Sequence, residues 1–213
     1  MEIGLVGLLL VAVALPGWGQ SGPATADVYL NGRDDSFQLL GSGRPLASEI
    51  FRKIDVHLNW HTGELPAGQK AFGIRTVKRA PESAGPDAFA ACRLSNSAGV
   101  EITVYRDRLN DLLNPFLNAH STPLGVGASI QREAEAALPA YVLAHELAHA
   151  MEGIARHSER GILKAPWSAS DFNEMAFHRL TFTPYDIELI HRGLAARMAG
   201  KSLESDDSRA ARK

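Results

Sequence analysis

The feature that most constrains this chain is an apolar helical run at residues 131–151 that carries His145-Glu146-Leu147-Ala148-His149 near its end. Val142, Leu143, Leu147, Ala150 and Met151 give the run an apolar face, and Gly153 is its natural stop. Pro139 is the one irregularity; because Pro is tolerated in a first turn, the helix can restart there. Residues i and i+4 lie one turn apart on the same face, so both imidazoles can reach one ion. Whatever else the chain does, its sheet has to pack on this helix.

Zinc takes neutral imidazole nitrogen and, at a catalytic site, keeps one open position for water. Glu146 follows the first histidine and points beside such an ion rather than at it. From there it can take a proton from the water and later hand it to a leaving amine. A third ligand is needed. After the helix the chain reads Gly153-Ile154-Ala155-Arg156-His157-Ser158, and a reversal at Gly153 brings His157 back toward the helix face. Glu174 in the Asn173-Glu174 pair is the rival, followed by Glu159, His178 or a water, and Glu152 reads as a solvated helix residue.

Residues 142–167 resemble the metzincin branch of the zincin metallopeptidases, matrix metalloproteinases in particular, where a Gly turn after the paired histidines delivers a third His followed by Ser. The resemblance implies a Zn2+ cofactor held by His145, His149 and His157, with Glu146 as general base in the hydrolysis of a peptide or protein substrate. Two departures stand out. Gly153 and His157 lie one and two residues further from the helix than in the family pattern, and Leu163 stands in Gly161-Ile162-Leu163-Lys164 where a Met-turn carries its Met. The Asn173-Glu174 pair is similar to the arrangement of thermolysin-type zincins, which take their third ligand from a later helix. In peptide-cleaving zincins an edge strand borders the cleft, and residues 99–105 are the candidate, with a central position as the alternative.

The remaining elements follow from periodicity. Residues 45–54 place Leu46, Ile50, Phe51 and Ile54 on one helical face, while Val56, Leu58 and Trp60 alternate as in a strand. Further strands are predicted at 72–78 and 100–105, a surface loop at 118–130, a short helix capped by Ser168 or Ser170, and a last helix from Thr183-Pro184. The order predicts a small α/β (α+β), zincin-like domain at 44–199. Its sheet of three to four strands packs on the long helix, with C-terminal helices beyond. Residues 20–43 read as a flexible lead and 200–213 as a disordered tail.

Residues 3–15 are an unbroken apolar run ended by Pro16, too short to span a bilayer, so residues 1–19 read as a signal peptide despite an n-region with Glu2 and no Lys or Arg. An uncleaved N-terminal anchor is the alternative. Both place the domain in a secreted or periplasmic setting. The net charge of -2, with Lys and Arg scattered, gives no footprint for nucleic acid, and a monomer is expected. The single Cys92 closes no disulfide and reads as a small buried apolar residue. His57 and His61 read as surface residues, His120 as a loop residue and His191 as lying on the polar side of the last helix. Tyr185 packs on that helix or donates to an oxyanion, and Trp60 and Trp167 belong to the core or a cleft wall. Two other functions fit the same pattern: a zincin-like metal-binding domain with little catalysis, and a hydrolase of a non-peptide amide such as a cell-wall crosslink.

Overall fold

The apolar helix is longer than its periodicity suggests. It runs from Val126 to Glu152 (α4), starting inside the stretch predicted as a loop and passing Pro139 without a break. The computed structural model describes residues 22–32, 35–85, 89–94, 99–118 and 126–200; the apolar leader at 1–19, His120 and the tail beyond Gly200 lie outside the described residues.

Around α4 the chain builds a mixed α/β structure with five strands and five further helices. The strands are β1 (Ala24–Asn31), β2 (Val56–Thr62), β3 (Phe72–Val77), β4 (Ala90–Leu94) and β5 (Val100–Tyr105). The helices are α1 (Asp35–Ser42), α2 (Arg44–Arg52), α3 (Arg106–Asn118), α5 (Ala169–Ala176) and α6 (Pro184–Met198). The sheet has the order β2-β1-β3-β5-β4, all parallel except β4, which runs antiparallel to β5.

Three expectations are corrected. The sheet has five strands, not three to four. Residues 20–43 hold β1 and α1, and Ala26, Val28 and Leu30 of β1 are core residues; their alternation with Thr25, Asp27 and Tyr29 is genuine strand periodicity masked by Gly- and Asp-rich flanks. Residues 100–105 form a central strand, because β4 covers the outer side of β5. β4 escapes notice because Ala90-Ala91-Cys92 carries little of the β-branched character that marks a strand.

The core lies between one sheet face and α4. Phe72, Ile74, Val100, Ile102 and Val104 of the sheet share one buried cluster with Leu138, Tyr141, Leu143 and Leu147 of the helix. Tyr141, Val142, Leu143 and Ala144 are consecutive and all buried, so α4 is covered on every side rather than amphipathic. It packs on the sheet and also on α2, α5 and α6. Close approach to α6 depends on Gly193, where a Cβ would lie 1.9 Å from the Met151 carbonyl oxygen. Gly43 does the same for α2 at the proline, with a Cβ 2.5 Å from the Ala140 nitrogen. Among the described residues no helix is long and apolar enough to cross a membrane.

Candidate metal centre

The last two turns of α4 bring His145 and His149 to the same side, and their Nε2 atoms lie 3.0 Å apart. His145 Nδ1 faces the Ile162 carbonyl oxygen at 2.8 Å. If Nδ1 carries the proton and donates it there, the lone pair of Nε2 is left pointing at His149. Trp167 packs edge-on against the His145 ring and donates from Nε1 to the same Ile162 carbonyl at 3.2 Å. The segment of Gly161, Ile162 and Leu163 thus touches His145 through the Ile162 carbonyl. Leu163 is fully buried.

The helix ends at Gly153, whose φ of 72° is the left-handed conformation that glycine adopts without cost. Its N–H donates to the His149 carbonyl, and the chain turns back. His157 arrives with its ring 5.1 Å from that of His149 and 5.4 Å from that of His145, centroid to centroid. One ring nitrogen from each of the three histidines falls within 4.8 Å of the others. Two nitrogens on a tetrahedral zinc are roughly 3.3 Å apart, given Zn–N bonds of about 2.05 Å, so a cluster spread over 4.8 Å is compatible with a metal once the rings draw in around it.

Burial pushes His145 down to about 4, opposed by its bond to Ile162 and helped slightly by His157. Burial again, then His145, His157 and Arg156, push His149 down to about 3, with Asp186 opposing. His157 is lowered by burial as well. All three are thus neutral at pH 7, the form that ligates a cation. His149 Nδ1 is buried without a hydrogen-bond partner. With one ring nitrogen orphaned and the other facing a second imidazole, the pair makes poor use of its polar atoms unless a cation takes the facing lone pairs.

Glu146 is buried and lines a cleft of about 280 Å³ together with His149 and His157. Burial pushes its carboxyl up to about 8, and a cation nearby would draw it down. The other walls are Phe89, Ala90 and Cys92 on the β4 side, and Ile154 and Arg156 after the helix. Cys92 is therefore a cleft residue, not a buried apolar one as expected. Desolvation, then the Glu146 carboxylate, push its thiol up to about 11, against the pull of Arg197.

The rival third ligands lie elsewhere. Glu174 is held by Arg179 through two hydrogen bonds of 2.9 and 3.1 Å, and Glu159 and His178 are exposed; none joins the histidine cluster. Glu152, expected to be solvated, is 2% exposed and pairs with Arg156 at 3.1 Å. Tyr185 is 57% exposed, with the Arg156 guanidinium 4.8 Å over its ring. His57 and His61 lie on the surface, and His191 faces the Ile54 carbonyl at 2.7 Å, tying α6 to the end of α2. Sequence reasoning misses Arg156, Asp186 and the Ile162 carbonyl, although the Thr183-to-Asp186 spacing is a capping-box signal. The chain matches no known family profile, and no characterised protein is significantly similar to it in sequence.

Proposed function

We propose that this chain is a zinc-dependent metallopeptidase with a zincin-like centre, acting outside the cytoplasm. The observation that carries the proposal is the convergence of three neutral imidazoles on one point, with the buried carboxyl of Glu146 in the same cleft. A donor set of three imidazoles suits zinc, and a structural zinc site would be closed by a fourth protein ligand. Among the described residues, the cluster of ligating side chains stops at three.

A bound zinc supplies a Lewis acid and lowers the pKa of water, giving a nucleophile at neutral pH. His145, His149 and His157 would hold the ion. Glu146 accepts the proton of the attacking water and returns it to the departing nitrogen, so both transfers use one carboxylate. An extended polypeptide fits this cleft because β4 ends the sheet beside it, leaving backbone groups on its outer side for main-chain pairing.

The test is Glu146→Gln, with bound zinc measured by atomic absorption and hydrolysis followed on a mixed peptide pool. We expect one zinc per chain in both proteins and a fall in kcat of about 10²–10⁴-fold in the variant. A wild-type protein without zinc would refute the proposal. Hydrolysis unchanged in the variant would remove Glu146 as the base. Cleavage of a peptidoglycan digest but of no peptide would keep the centre and change the substrate.

A further inference from the structure

Of the three clustered histidines His157 alone lies outside a regular element, and it is exposed. Its ring makes no hydrogen bond to the described residues, unlike His145, which is held by Ile162. Its two neighbours are held instead. Arg156 Nη2 donates to Asp186 Oδ1 at 2.5 Å and to Glu152 Oε1 at 3.1 Å, while its Nη1 donates to Ser158 Oγ at 2.9 Å. Ser158 Oγ donates to the same Asp186 Oδ1 at 2.6 Å. The Ser158 backbone N–H is bound to the Leu163 carbonyl at 2.9 Å.

Asp186 is completely buried. Its Oδ2 accepts the Thr183 N–H at 2.8 Å, and its own N–H donates to Thr183 Oγ1 at 3.2 Å, closing a capping box at the start of α6. That helix is locked to the end of α4 where Gly193 meets Met151. One carboxylate thus faces two ways: one oxygen caps α6, the helix packed on the element that carries His145 and His149, and the other grips the residues on either side of His157.

We infer that Asp186 is a positioning residue that sets the third ligand, holding residues 156–158 to α6 so that His157 reaches the point shared by His145 and His149. The inference rests on the proposal that His157 is a ligand. Pinning both flanks removes freedom the segment would otherwise lose when a cation binds, and preorganisation of this kind raises affinity without any new contact to the ion.

The experiment measures Zn2+ affinity by competition with a chromogenic chelator, and the intensity of the Co2+ d–d bands, which falls as coordination rises above four. Asp186→Asn keeps the size of the side chain but puts at most one acceptor oxygen where two are used. It should weaken zinc binding roughly 10–100-fold and dim the Co2+ bands, with the metal-free circular dichroism unchanged. Thr183→Ala weakens only the helix cap; it should lower Tm and leave zinc affinity within about threefold. If Asp186→Asn fails to fold, the double variant Arg156→Gln/Ser158→Ala cuts the same links from the loop side and decides by the same measurements. A folded Asp186→Asn, or that double variant, with wild-type zinc affinity and Co2+ bands overturns the inference alone. Wild-type protein that binds no zinc, or His157→Ala that binds it as tightly, overturns the ligand assignment and this inference with it.

Discussion

His145 and His149 stand on a buried helix, whereas His157 stands on an irregular segment that the helix's C-terminus throws back across the cleft. The first two are brought together by helical periodicity alone, because any residues at i and i+4 share a face. The third owes its place to side chains far away in sequence, on α6. One centre is therefore assembled by two kinds of constraint, and these should fail differently.

The largest effect comes from deleting the proposed ligands themselves. His145→Ala and His157→Ala should each weaken zinc binding by more than about 100-fold, since a lost ligand should cost at least as much as a lost supporting contact. The metal-free proteins should then differ. His145→Ala strips the Ile162 carbonyl of a buried donor and leaves a void beside Trp167, a loss of roughly 2–4 kcal/mol in unfolding free energy. His157→Ala removes an exposed ring without hydrogen bonds, and metal-free stability should move by less than about 0.5 kcal/mol. Urea melts of the two apoproteins check this; equal losses would erase the distinction between the helix-held and loop-held ligands.

The same division explains what was legible in the sequence. Local signals find α4, Glu146 and the paired histidines, because spacing along a helix is written in the sequence itself. Gly153 as a stop is equally local, and it suffices to point at His157. The Asp186 anchor is not readable, because Thr183-Pro184-Tyr185-Asp186 looks like an ordinary helix start whether or not its N3 carboxylate also reaches Arg156 and Ser158. Glu152 misleads for a related reason. A glutamate at the end of a helix reads as solvated until the fold sets α6 against it. β4 and β1 are lost to weak composition and noisy flanks, and with them the cleft wall that exposes Cys92.

The burial of Glu152 gives the next effect. Desolvation raises its carboxyl from 4.5 to about 7, with Arg156 pulling it down and Asp186 pushing it up, and its Oε2 has no partner. A raised carboxyl means the folded state holds a proton that the unfolded state has lost. Its contribution to stability is therefore present below about pH 4.5, declines as pH rises toward 7, and levels off above. Asp186 has the opposite sign. Burial raises it, but the bonds from Ser158, Arg156 and Thr183 outweigh that and hold it below 3.8, so its contribution is lost only as pH falls beneath this window. The lowered His145 and His149 also give a slope, rising with pH up to about 6.5, but it is common to wild type and variant. Metal-free Glu152→Gln minus wild type should thus grow in the variant's favour by about 1–3 kcal/mol between pH 5 and pH 8. A difference independent of pH would mean that Glu152 is ionised throughout and that the polar cluster tolerates its charge.

The smallest effect lies on the opposite face of the sheet, where another charge-assisted contact looks equally well made. His61 Nε2 sits 2.9 Å from Asp27 Oδ1, and the His61 ring stacks on Tyr29 at 4.6 Å. The distance is comparable to those around Arg156, but the side chains of His61 and Asp27 are 41% and 53% exposed, while those of Glu152 and Asp186 are fully buried. Water competes for the first pair and is shut out from the second. Asp27→Asn should therefore change unfolding free energy by less than about 1 kcal/mol and leave zinc affinity untouched. Asp186→Asn removes a charge from a buried network and leaves Arg156 with one carboxylate in place of two. Denaturation and zinc titration of the two variants side by side make burial, rather than bond length, the variable under test. An Asp27→Asn loss above about 2 kcal/mol would show that the exposed cluster organises its strands more than its solvent access allows.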